Sequence, residues 1–414
     1  MRVRSRFPAV RRVAEHLDLL KPRAPARVKG HTLRHHGRHN DDLAPDRSLR
    51  PRSRPDRDTG GGDDRRAAHA RHAHDDGHRE DPGRVLRRRR PHQDGRLLLA
   101  ARPARPQGLP ERARPPLPEH VAGEVTGITR EVGPGGFTFF RIDTDRCQAR
   151  LTAHGAQLCE WTPAGHSSSV VFLSPRAIFA AGKAIRGGVP LCFPWFANHP
   201  TDRAKPAHGF ARTRTWRVGD VTRDPGGDTR VTMHLASDVE TRALWDAEFT
   251  ATLTLSLGPS LTMTFEAENT GATEIGYEIA LHTYLAVGDV ERIRIHGLER
   301  TRYIDKVDGA REQRAGDEPL MLTGDTDRVF LDTTATCTVE DPVLRRRIVV
   351  AKGGSPVTVV WNPGREKGPG VADIGDAWQR FVCVETAACT PHAVRLAPRA
   401  RHAITARVDV EPLS

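Results

Sequence analysis

The sequence predicts an all-β fold, a sandwich or barrel of one large domain, behind a disordered N-terminal leader. Three observations point there. Past residue 120, short apolar runs follow one another between Gly, Pro and Asp turn residues. The clearest of these runs is apolar at every second position, which is the period of a half-buried strand. No segment of that region keeps a helical period over three turns, and many closely spaced strands without helices between them characterise sandwiches and barrels.

The leader is set apart by its charge. Of the 64 Lys and Arg in the 414-residue chain, 30 lie in residues 1–120, against 16 of the 52 Asp and Glu. The remainder is close to neutral, so the formal charge of +12 belongs to the leader. It also holds 11 of the 20 histidines, no cysteine and a single aromatic residue, Phe7. Such a segment cannot bury enough apolar surface to offset its chain entropy, and disorder is expected over 1–120. Its runs read first as GC-rich DNA translated upstream of a true start near Val121 or Val125. The next reading is a solvated tail, and the third is an arginine-rich arm for nucleic acid or an acidic surface. A targeting peptide would need an apolar stretch after Arg11-Arg12, and none follows.

The folded domain is expected over 125–410. Phe137–Ile142, Ala149–Thr152 and Gln157–Thr162 are its first strands, the last closed by Pro163-Ala164-Gly165, and Val170–Leu173 is another apolar run. Phe249, Ala251, Leu253, Leu255 and Leu257 then alternate with Thr250, Thr252, Thr254 and Ser256. Gly258-Pro259-Ser260 turns the chain, and Leu261, Met263 and Phe265 alternate with Thr262, Thr264 and Glu266. That is a β-hairpin with one buried face. Further strands are expected at Tyr277–Val287, Arg292–His296, Ala335–Val339, Ile348–Ala351, Val357–Trp361, Phe381–Glu385 and Ala403–Val408.

Strand phase singles out two polar residues. Successive side chains take opposite faces, so Ile279, Leu281, Thr283 and Leu285 share one face, and Glu278, Ala280, His282 and Tyr284 the other. In Phe381–Thr386, Val382 and Val384 point one way and Cys383 and Glu385 the other. His282 and Glu385 thus lie opposite the aliphatic sides of their strands. The pattern leaves open whether their two surfaces are one.

The blocks KAIRGGVPLCFPWF (Lys183–Phe196) and AHGFARTRTW (Ala207–Trp216) set titratable side chains beside glycine, proline and aromatic residues. Glycine lets backbone approach closely, aromatics supply a flat apolar wall, and arginine reads an anion. The six cysteines all lie beyond the leader, none in a C-x-x-C pair, and read as buried reduced thiols of a cytosolic protein. No apolar run approaches the ~20 residues of a membrane span. Several other motifs fail on spacing. Gly182-Lys183 lacks the upstream glycine of a phosphate loop, the leader's HAH (72–74) and HH (35–36) have no zinc spacing, and no G-x-S-x-G elbow occurs.

Together with ALHTYL (Ala280–Leu285), WNPGREKGPGVAD (Trp361–Asp373) and FVCVETA (Phe381–Ala387), these blocks resemble the hexose-6-phosphate mutarotases (glucose-6-phosphate 1-epimerases). That group is a branch of the aldose 1-epimerase superfamily, and the resemblance spans 125–410. It implies a galactose-mutarotase-like β-sandwich with the site on a concave sheet face. It also implies a small-molecule phosphosugar as partner and no cofactor or metal; the protein is expected to be monomeric and cytoplasmic. Inverting an anomeric carbon requires opening the ring and closing it on the other carbonyl face. A base takes the C1 hydroxyl proton while an acid protonates the ring oxygen, and the expectation is a carboxylate and an imidazole on opposite sides of the sugar.

By resemblance, Glu385 is the general base and His282 the general acid, where an isolated Glu or His would more often be an ion-paired or hydrogen-bonded structural residue. His208 holds sugar hydroxyls or the C1 oxygen, Arg186 and Arg212 contact the substrate anion, and Asp305 in RYIDKV lies near the sugar. Where that branch often has glutamine before the HGFAR histidine, this chain has Ala207. The alternatives are a mutarotase of an unphosphorylated aldose and a non-catalytic carbohydrate-binding sandwich. Nucleic-acid binding through the leader ranks last; deleting 1–120 and testing salt-dependent binding separates it.

Overall fold

Alternation decides which face each strand buries. The computed structural model describes residues 126–413, and its first strands form an antiparallel sheet in chain order: Ile128–Val132 (β1), Thr138–Asp143 (β2), Cys147–Thr152 (β3) and Gln157–Pro163 (β4). Leu191–Cys192 (β5) follows. Arg217–Arg223 (β6), Thr229–Ala236 (β7), Phe249–Leu257 (β8) and Leu261–Asn269 (β9) run as a meander. The expected hairpin is β8–β9, paired from Phe249↔Asn269 to Leu257↔Leu261, with the apolar positions of both strands buried.

Short strands come next: Ile275–Tyr277 (β10), Ile279–Leu281 (β11), Tyr284–Ala286 (β12), Arg294–His296 (β13), Arg302–Asp305 (β14) and Arg311–Arg314 (β15). Thr326–Phe330 (β16), Cys337–Asp341 (β17), Arg346–Gly353 (β18), Val357–Asn362 (β19), Phe381–Ala388 (β20), Val394–Leu396 (β21) and Arg401–Pro412 (β22) complete the fold. Helix among the described residues is confined to Val239–Leu244 (α1), Gly364–Lys367 (α2) and short 3-10 turns. α1 begins at a capping box in which Asp238 and Thr241 satisfy one another's backbone N–H.

Two eight-stranded sheets carry the site. One has the order β13-β17-β18-β22-β9-β8-β7-β6; the other runs β15-β14-β16-β19-β20-β11-β5, with β12 also paired to β20. They share one hydrophobic core, where Leu253, Phe265 and Ile404 of the first join Leu281, Val360 and Val384 of the second. Phe193 anchors it, its ring centroid 5.1 Å from Phe265 and 5.3 Å from Phe249. The second sheet also buries its other face. Cys192, Ala280, Val329, Val357, Val359 and Ala387 form a separate apolar cluster there. Every residue of β20 is accordingly buried, as expected of a central strand covered on both sides.

Two expectations need correction. Tyr277–Val287 is not one strand but parts of three. The Glu278 N–H donates to Pro194 O, the His282 N–H to Pro190 O and the Thr283 N–H to Leu281 O, so the ladder breaks at each point. Val170–Leu173 makes only isolated bridges, Val171↔Leu285 and Leu173↔Gly187. All six cysteines are buried and unpaired, in line with the reduced-thiol reading. Among the described residues no helix is long and apolar enough to cross a membrane. The leader, residues 1–120, and its expected disorder lie outside the described residues.

Candidate active site

Cross-strand register brings the two singled-out residues together. Leu281 pairs with Thr386 and Tyr284 with Cys383, so His282 falls directly opposite Glu385 on the second apolar face of the sheet. His282 Nδ1 and Glu385 Oε1 approach to 3.3 Å. The contact is not aligned as a hydrogen bond: His282 Nδ1 and Glu385 Oε2 are both buried without a hydrogen-bond partner. The imidazole stacks on the Tyr284 ring at 4.9 Å and meets Trp361 edge-on at 5.9 Å, which fixes its plane.

The expected placement of this pair on opposite sides of a sugar is therefore not what the fold provides. They are side by side because β20 is the direct neighbour of both β11 and β12. His282 is 6% and Glu385 1% exposed. Burial pushes the Glu385 carboxyl well above the usual carboxylate range, Asp327 adds to this, and Lys306 and Arg212 oppose it. Burial holds the His282 imidazole well below its ordinary value, with His208, Arg212 and Arg186 acting in the same direction.

His208 reaches this pair through a strained turn. Its φ is 61° and that of Gly209 is 71°. A Cβ at residue 209 would lie 2.0 Å from Phe193 O, so only glycine fits. The ring centroid of His208 is 5.7 Å from that of His282. Its Nδ1 accepts the Ala197 N–H at 3.3 Å. Burial, then Arg212, Lys306 and Arg186, keep it well below its ordinary pKa. A neutral imidazole whose Nδ1 accepts must carry its proton on Nε2, and His208 is a donor at that atom.

The arginines are positioned by their own contacts. Arg186 Nη1 donates to Tyr284 OH at 3.0 Å, and its Nε pairs with Asp373 Oδ2 at 3.1 Å. The WNPGREKGPGVAD segment thus serves by delivering Asp373. Arg212 leaves a single 3-10 turn, Ala211–Thr213, and its Nη2 donates to the carbonyl of Ala207 at 2.8 Å.

Asp305 is the exception among the predicted residues. Its carboxylate accepts the N–H groups of Val307 and Asp308 and pairs with Arg328 Nε at 3.1 Å. It shares its strand face with Tyr303, whose ring belongs to the shared core. Ile304, the next residue, packs against the apolar cluster beside Glu385. The structure does not bring Asp305 onto the face that carries His282 and Glu385; alternation along β14 places it on the other one.

A family model described as aldose 1-epimerase matches residues 139–408. The chain belongs to the aldose 1-epimerase family. It is an isomerase, and its fold is that of galactose mutarotase-like proteins. A Salmonella typhimurium relative named "Putative glucose-6-phosphate 1-epimerase" is 35% identical over 250 residues, covering 60% of this chain and 82% of the relative. An Escherichia coli protein of the same name is 35% identical over 247 residues, 59% of this chain and 81% of its own length. The crystal structure of a "putative mutarotase" from Salmonella typhimurium superposes with a TM-score of 0.65 at 30% identity, over 70% of this chain and 95% of that one.

Two residues beside the His282–Glu385 pair escaped the sequence reading. Lys306 and Asp327 follow the register of β14 and β16 onto the face that carries Glu385. Lys306 Nζ lies 4.3 Å from the Phe196 ring centroid and 3.9 Å from Asp327 Oδ1. Burial raises the Asp327 carboxyl, while Lys306 opposes the shift. The alternation of Ile304 and Lys306 with Asp305 was the available signal, but β16 carries no apolar alternation that would have announced Asp327.

Proposed function

We propose that residues 125–410 form the catalytic domain of a mutarotase that interconverts the α and β anomers of an aldohexose 6-phosphate, glucose 6-phosphate being the expected substrate. The observation that carries this reading is the buried His282–Glu385 pair, 3.3 Å apart, with Arg186, Arg212 and Lys306 acting on it. Burial favours the neutral pair, Glu385 protonated and His282 neutral. Moving one proton between them yields a carboxylate and an imidazolium without changing the net charge.

The carboxylate takes the C1 hydroxyl proton as the C1–ring oxygen bond breaks, and the imidazolium delivers its proton to the ring oxygen. Rotation about C1–C2 turns the other carbonyl face to the ring hydroxyl. The same two transfers in reverse then close the other anomer. His208 donates its Nε2–H to a substrate oxygen. Arg186, Arg212 and Lys306 hold the phosphate and neighbouring hydroxyls; this concentration of cations fits a phosphate oxyanion better than a neutral sugar. The names of the relatives that cover four-fifths of their own length support the same substrate.

The test is α-to-β exchange measured by NMR, for glucose 6-phosphate and glucose in parallel, against the uncatalysed rate. Acceleration at least tenfold greater for the phosphosugar is expected. Equal acceleration, or acceleration of glucose alone, would remove the phosphate assignment and keep the acid–base pair. A folded protein that accelerates neither would be a binding module.

A further inference from the structure

Cys383 takes no part in the proposed reaction, yet it sits two residues before Glu385 on the same strand face. Its thiol sulfur, a ring nitrogen of His282 and a carboxylate oxygen of Glu385 all lie within 4.8 Å of one another, and all three residues are buried. His282 Nδ1 and Glu385 Oε2 have no hydrogen-bond partner, and buried polar atoms left so call for a ligand. One nitrogen, one sulfur and one oxygen form a donor set for a borderline-soft divalent ion, whereas magnesium and calcium require oxygens.

We propose that His282, Cys383 and Glu385 form a site for Zn2+, and that the bound ion reversibly shuts off this face of the sheet. Tetrahedral zinc with bonds of about 2.0–2.3 Å places its ligand atoms roughly 3.5 Å apart, so the three groups, within 4.8 Å of one another, need to close by roughly 1.3 Å at most. The fourth position remains for water. Zinc–sulfur and zinc–oxygen bonds form as the Cys383 S–H and Glu385 O–H bonds break and both protons leave to solvent; nothing is oxidised or reduced. Thiolate and carboxylate together neutralise the dication, which offsets its repulsion by Arg186, Arg212 and Lys306. The binding stands independently of the mutarotase reading, whereas the inhibition rests on it, because the ion takes up both acid–base groups.

The experiment uses the full chain, stripped with EDTA and freed of chelator. Titration with Co2+ should develop a thiolate-to-cobalt charge-transfer band saturating at one equivalent. The leader holds no cysteine, so its histidines cannot produce that band. C383S and C383A should each lose it, and two variants guard against one that misfolds. In the exchange assay, one equivalent of Zn2+ should slow anomerisation more than tenfold and EDTA should restore it, with Mg2+ inert. The Cys383 variants, each compared with its own metal-free rate, should need at least tenfold more zinc. Absence of the band from active protein, its persistence in both variants, or equal zinc sensitivity in all forms would overturn the site. A band from folded but inactive protein would keep the site and remove the mutarotase reading.

Discussion

His282 and Glu385 are displaced from their ordinary ionisation in opposite senses, the imidazole downward and the carboxyl upward, chiefly by burial. The pair therefore holds one proton across an intermediate range of pH. Below that range a second proton removes the base; above it, loss of the shared proton removes the acid. The pH profile of kcat/KM, corrected for the substrate phosphate ionisation near pH ~6, should be bell-shaped, with both limbs belonging to the pair. A profile flat across both limbs would contradict the assignment. Sequence reading found both residues as polar positions on aliphatic strands, but their contact depends on which strands are neighbours, and alternation within one strand carries no such information. The same limit explains Asp305. Successive residues of a strand take opposite faces, and the residues that share the face of Glu385 are Lys306 and Asp327.

At the scale of elements, Gly209 tests how the site is mounted. Its positive φ and its close approach to Phe193 O leave no room for a side chain. Gly209→Ala should cost on the order of 2–4 kcal/mol and reduce kcat/KM, because His208 and Arg212 flank the turn. Thermal melts and exchange rates measure both, and a variant of unchanged stability would refute the packing account. Lys352 on β18 tests the join between the two large sheets. It is 7% exposed and donates to Thr358 Oγ1 at 2.7 Å, and burial holds it down to about 8. Between that value and its ordinary 10.5, the unfolded chain binds a proton that the native chain does not, so this group's contribution to stability rises with pH. Lys352→Met should therefore gain most over wild type at or below about pH 7. The gain should shrink by roughly 2–3 kcal/mol towards pH ~10. A stability difference independent of pH would contradict the buried-lysine assignment.

The elements differ in how clearly they were written. β8, β9 and the turn between them were legible because one face is buried and the other is Thr-rich. β14, β15 and β16 were missed, since Arg311–Arg314 is almost wholly charged and exposed and depends on pairing with β14 for its place. The break at His282 was also illegible, because it is made by the carbonyls of Pro190 and Leu281 and not by any turn residue.

For the whole molecule, the fold class followed from strand spacing, and the sandwich from two sheets that share the core around Phe193. What composition could not supply was the second buried face of the β20 sheet, where small residues such as Cys192, Ala280 and Ala387 make a floor for Glu385 and His282. The central claim is that this floor supports acid–base anomerisation, and Glu385→Gln tests it most directly. NMR exchange of glucose 6-phosphate anomers, with the variant shown to be folded, should reveal a loss of about 10²–10⁴ in kcat with binding of the phosphosugar largely retained. Exchange at the wild-type rate would contradict the account.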